Sequence, residues 1–150
     1  MTSFATALLT ISAGIWVGAI IFQTAVVAPT VFADLNESAA RTFLRTLFPR
    51  FFRLGLVCGL VMLAGLIWLG VLAAWPPGVV ALAVVTSVMV LFEAVSLRMV
   101  PQINAARDAG QAGEALFSRL HRISVLLTVV ILLLGIAVLV AVSTLAAQGV

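Results

Sequence analysis

Four long apolar stretches dominate this sequence and restrict its fold more than any other feature. They run from about Phe4 to Phe32, Phe52 to Ala74, Val79 to Val100 and Ile123 to Ala146. A hydrocarbon core about 30 Å thick takes about 20 residues to cross as an α-helix, and all four stretches reach that length. Within hydrocarbon a segment must satisfy its own backbone polar groups, so each is expected to be helical. The expected architecture is all-α: one integral membrane four-helix bundle formed by residues 1–150. Composition agrees, with 64% hydrophobic and 9% charged residues and a mean hydropathy of +1.31. Soluble domains carry about 25% charged residues, so a water-soluble enzyme or a disordered regulator is excluded.

The eight basic residues are all arginines, and their placement sets the expected orientation. Arg41, Arg45, Arg50 and Arg53 lie in or beside the first loop; Arg98, Arg107, Arg119 and Arg122 lie in or beside the third. The N-terminus, the Trp75-Pro76-Pro77-Gly78 turn and the C-terminus carry none. Arginines near span ends stay cytoplasmic, which predicts an inner-membrane protein with both termini in the periplasm or exterior. The same clustering argues against nucleic acid as a partner, despite the net charge of +3, because no basic residues interleave with exposed aromatics on a soluble face. Val31-Phe32-Ala33 before Asp34 is similar to a signal cleavage site. No positive residue precedes it and its apolar run is too long, so the segment is expected to remain as a span.

The first loop has the pattern of an amphipathic helix lying in the interface between spans 1 and 2. Leu35, Ala39, Phe43, Leu47 and Phe51 recur every four residues, with Arg41 and Arg45 on the other side. Asp34 and Glu37 have capping-box spacing at its start, and Pro49 is expected to end it. In the third loop Gly110 and Gly113 break the pattern, after which Glu114–Arg122 extends the fourth helix. Gly14-xxx-Gly18 and Gly55-xxx-Gly59 offer small faces for close helix approach, either between spans 1 and 2 or in a homodimer.

Polar atoms within the spans mark the candidate site. Glu93 alone among five carboxylates lies inside a span, where it must be protonated or paired with a cation such as Arg98, Arg122 or His121. A structural ion pair joining the third and fourth helices is the alternative to a functional role. Gln23 lies in the first span, Thr86 shares a helix face with Glu93, and His121, Ser124 and Thr128 form a stripe on the fourth. Turned inward together, these stripes make a polar seam, with Gln23, Glu93, His121 and Ser124 as ligand-binding candidates. Cys58 reads as a small buried hydrophobe and the methionines as core filler. Haem or copper, held by His121 with a methionine or by His121 from two chains, remains open as a cofactor. No nucleophile with an adjacent base and no phosphate loop occurs, so the chain is not expected to be an enzyme.

Three stretches carry a family resemblance: Gly18-Ala-Ile-Ile-Phe22 leading to Val27-Ala28-Pro29-Thr-Val-Phe32, Leu47-Phe48-Pro49-Arg50-Phe51-Phe52, and Leu120-His121-Arg-Ile-Ser124. The sequence resembles the four-span family of unknown function that includes transmembrane protein 205, over nearly its whole length. More distantly it is similar to copper-resistance-D membrane proteins and four-span haem-dependent protoporphyrinogen oxidases, whose second histidine and lysine it lacks. The resemblance implies the four-span topology and a connection with metal or drug resistance. Two functions follow as expectations: handling or transport of a small molecule or metal ion through the polar seam, or a non-catalytic accessory role in a larger membrane complex.

Overall fold

A computed structural model describes residues 2–147. Met1 and residues 148–150, the extreme ends expected to face the exterior, lie outside the described residues. Helix α1 (Thr2–Phe22) passes through a wide turn at Gln23–Val27 into α2 (Ala28–Asp34). Then come α3 (Glu37–Leu72), α4 (Pro77–Asp108), a tight turn at Gly110–Gly113 and α5 (Glu114–Ala147). The chain thus has four helical rods long and apolar enough to span a membrane: α1 with α2, then α3, α4 and α5. No strand occurs among the described residues.

The rods form a ring, α1 against α3 and α5, and α4 against the same two neighbours, so α1 and α4 face each other diagonally. Their inward residues keep a 3-4 spacing: Phe52, Gly55, Gly59, Met62, Leu66 and Leu69 on α3, and Val79, Leu82, Thr86, Met89, Glu93 and Ser96 on α4. That period keeps one seam facing its partners along a gently supercoiled bundle. Large apolar side chains such as Val57, Val84, Leu91, Leu126 and Leu133 point outward and are more than half exposed. Lipid makes such an exterior favourable where water would not.

Two expectations about the helix ends need correction. The amphipathic first-loop segment is helical, but Pro49 does not end it: α3 runs on from Glu37 to Leu72 as one helix. Proline lacks the N–H that would bond the Arg45 carbonyl four residues back. The continuing helix carries that single loss where Arg45 is half-exposed. Pro101 is likewise inside α4, which continues to Asp108. The capping residue of α3 is Asn36, not Asp34: Asn36 Oδ1 accepts from the Ala39 N–H at 2.9 Å. Asp34 is instead the last residue of α2, and Glu37 pairs with Arg41 at 2.7 Å.

The turn from α3 to α4 closes tightly. Ala74 and Trp75 both adopt left-handed backbone angles (φ 55° and 56°), and the Trp75 N–H donates to the Gly70 carbonyl at 2.8 Å. The Trp75 ring folds back over Gly70, where a Cβ would meet it at 2.5 Å.

The wide turn in the first rod has a local cause as well. Pro29 offers no N–H to the Ala25 carbonyl, and the chain responds with a π-turn in which the Ala28 N–H donates to the Gln23 carbonyl. The extra residue rotates α2 relative to α1 by about 100°, and both Gln23 at the start of the turn and Val31 beyond it are buried.

Candidate functional site

The glycines explain how α1, α3 and α4 meet. The Gly14–Gly18 face does not bring α1 against α3, contrary to expectation: both glycines are exposed, and a Cβ on either would touch nothing within 4 Å. Trp16, between them in sequence, takes the inward position and is 1% exposed. An indole needs a recess opposite it, and α3 supplies one with Gly55 and Gly59. A Cβ at Gly59 would lie 3.0 Å from Trp16 Cζ3, and one at Gly55 would lie 2.6 Å from Trp16 Nε1. Glycine on one helix therefore faces tryptophan on the other; paired glycines there would leave a void.

The same recess holds Glu93. A Cβ at Gly55 would lie 2.6 Å from Glu93 Cδ and closer still to Oε1. Glu93 of α4 thus reaches across α3 toward α1, where the Trp16 indole N–H is directed at its carboxyl. The two groups stop short of hydrogen-bond geometry: neither Glu93 Oε1 nor Trp16 Nε1 has a hydrogen-bond partner. Glu93 is 2% exposed.

Two hydroxyls continue this seam along α4. Ser96, one turn beyond Glu93, and Thr86, two turns before it, are fully buried, and Ser96 Oγ and Thr86 Oγ1 have no hydrogen-bond partner. Cys58, one turn beyond Gly55, is buried on the same side of α3. Buried polar atoms are ordinarily paired; Trp16 Nε1, Thr86 Oγ1, Glu93 Oε1 and Ser96 Oγ are four along one seam that are not.

The other expected site residues divide. Gln23 and Ser124 are buried; Thr128 donates its hydroxyl to the Ser124 carbonyl at 3.0 Å, which satisfies it within its own helix. His121 is exposed and stacks on Phe117, with ring centroids 5.6 Å apart and planes 6° from parallel. The inward stripe therefore begins at Ser124 and excludes His121. The imidazole finds aromatic surface on its own helix, one turn back.

Among the described residues Glu93 has no ion pair. The ion pairs among them are Glu37 with Arg41 and Asp108 with Arg45, while Arg98 and Arg122 are both exposed. The fit to a haem or copper centre is poor: no three His, Cys, Asp or Glu side chains converge among the described residues. Met62 and Met89 belong to the apolar core, apart from the exposed His121. Sequence reasoning does not single out Trp16, Ser96 or the glycine recess as site features. The 3-4 spacing that runs through Glu93 and Ser96 is the signal that could find Ser96.

Fold and site together define a multi-pass helical membrane protein with one carboxyl, that of Glu93, buried within its bundle. Residues 11–112 match the family described as a domain of unknown function (DUF4149), and the chain belongs to that family. The match covers most of α1 and all of α2 to α4, and ends before α5. No curated protein and no solved structure matches the chain. The resemblances to transmembrane protein 205 and to copper-resistance-D proteins rest on the sequence motifs alone.

Proposed function

We propose that this protein handles a cation or a small cationic molecule, the proton included, at the seam around Glu93, without catalysing a chemical reaction. The supporting observation is the Glu93 carboxyl: buried among three helices, without an ion pair, and with Oε1 unpartnered. An isolated carboxylate in so apolar a place is costly unless a proton or another cation neutralises it. The site therefore has two stable states, proton-loaded and cation-loaded, and exchange between them is the elementary step of ion-linked handling. Ser96 and Thr86 add neutral oxygens to the same face. The lack of converging metal-type side chains among the described residues favours a proton or an organic cation over a tightly held transition metal.

Four helices are few for an alternating-access carrier, so the working unit in this reading is a homodimer or part of a larger membrane complex. It sits in the inner membrane, with the arginine-bearing end in the cytoplasm and both chain ends outside. The second reading, an accessory subunit, draws on the outward face of Gly14 and Gly18, where another helix has room to approach.

Glu93→Gln keeps the shape of the side chain and removes its charge. A hydrophobic carbodiimide, to which a protonated carboxyl adds across a C=N bond, is expected to modify Glu93 in the membrane-embedded wild type. Sodium, potassium or an organic ammonium ion that the site accepts will slow that modification. Growth under metal or drug stress, the setting implied by the family resemblance, is compared in parallel. If no cation alters labelling and the Gln variant assembles and grows as wild type, the handling function fails and the accessory reading replaces it.

A further inference from the structure

A second charged site lies at the arginine-bearing end of the bundle, independent of Glu93. The first three turns of α3 and the last residue of α4 enclose an open cleft of about 720 Å³. That is within the about 300–1,000 Å³ typical of small-ligand sites. Arg41, Arg45, Glu37 and Asp108 line it, together with the hydroxyls of Ser38 and Thr42.

The charges are arranged in pairs. Arg41 donates to Glu37 at 2.7 Å, one turn away on the same helix, and Arg45 reaches across to Asp108 of α4. Neither carboxylate fills its arginine's donor fork, since the Nε–H groups of Arg41 and Arg45 have no acceptor. Two guanidinium groups, two carboxylates and neighbouring hydroxyls on one wall form a cleft of balanced charge. A simple anion would compete with both carboxylates for the arginines. A ligand bearing a phosphate and an ammonium satisfies both sets of groups together.

The position of the cleft selects the source of such a ligand. It opens where α3 and α4 leave the apolar part of the bundle, and Phe32, Leu35 and Phe43 are exposed at the same end. Exposed aromatic and aliphatic side chains beside charged groups suit the boundary between acyl chains and headgroups.

We propose that this cleft binds the headgroup of a zwitterionic phospholipid, its phosphodiester on Arg41 and Arg45 and its ammonium on Glu37 and Asp108. The site anchors the α3–α4 end of the bundle to lipid, and it stands whether or not Glu93 handles a cation. The surface salt links that line it are worth little by themselves; in this reading they hold two guanidinium groups and two carboxylates along one cleft.

The test is native mass spectrometry of the detergent-solubilised full chain. It is titrated with phosphatidylethanolamine, with phosphatidylglycerol, and with soluble glycerophosphoethanolamine, which has the headgroup without acyl chains. The expected result is tightest retention of phosphatidylethanolamine, weakened by roughly tenfold or more in an Arg41→Gln, Arg45→Gln double variant. Asp108→Asn is expected to shift preference toward phosphatidylglycerol by removing a carboxylate that repels it. All variants lie at the surface end of the bundle, and thermal melting checks that each retains the wild-type fold. Equal or tighter binding of phosphatidylglycerol by the wild type overturns the zwitterion assignment. Equal binding of the soluble headgroup overturns the lipid as its source. Retention that is unchanged in the double variant overturns the site.

Discussion

Gly55→Ala tests the recess that brings α1, α3 and α4 together. The added Cβ would lie 2.6 Å from Glu93 Cδ and 2.6 Å from Trp16 Nε1. Carbon atoms pack at about 3.5–4.0 Å, so the carboxyl must retreat by about 1 Å. Neither obstructing side chain has open space to enter, since Glu93 is 2% and Trp16 1% exposed. Overpacking of this kind costs about 1–3 kcal/mol, against which alanine's better helix propensity returns about 0.5–1 kcal/mol. Gly14→Ala is the control, because its Cβ meets nothing within 4 Å and only the propensity gain applies. The two variants should therefore differ by about 2 kcal/mol, Gly55→Ala being the less stable.

Reversible unfolding in mixed micelles, followed by tryptophan fluorescence, reads this difference. The cycle that identifies the cause adds Glu93→Ala. With the carboxyl gone, one of the two obstructions at Gly55 disappears, and the cost of Gly55→Ala should fall by about 1 kcal/mol, a coupling expected only of groups in contact. A Gly55→Ala variant as stable as Gly14→Ala, or a cost unchanged by removing the carboxyl, refutes the recess as the element that positions Glu93.

Two further outcomes concern local geometry. Ala74→Gly is expected to stabilise the bundle by about 1 kcal/mol in the same unfolding assay, because a left-handed φ of 55° suits glycine and strains alanine. Asn36→Ala should lower stability by about 0.5–2 kcal/mol by removing the cap on the Ala39 N–H, whereas Asp34→Ala should not. Equal effects of the two would return the capping role to Asp34.

Much of the architecture is legible because bilayer physics acts on long segments. Four apolar runs require four helices, and the Trp75-Pro76-Pro77-Gly78 turn requires an antiparallel pair, whatever the details of packing. Boundaries are less legible. A proline usually ends a helix in water, yet Pro49 and Pro101 lie within continuous helices. The tertiary bundle keeps the helix going on both sides of each, so one missing hydrogen bond does not break it.

The site shows the same division. That Glu93 is a carboxyl in an apolar helix is evident from sequence, as is its shared face with Thr86. Its expected partners are not what the fold supplies. Arg98, Arg122 and His121 are close in sequence register or topology, but side chains near a helix end turn to the interface, and none of the three is buried. The neighbour that Glu93 has is Trp16, from the diagonal helix, admitted across Gly55. No pattern within α1 specifies that contact, because it depends on which face of each rod turns inward. Length, apolarity and charge are properties of segments, and they suffice to specify a multi-pass helical protein with one carboxyl inside a span. Which glycines receive a tryptophan and which face outward, and hence what surrounds Glu93, emerges only when the helices pack, because close packing selects one rotation of each helix against its neighbours.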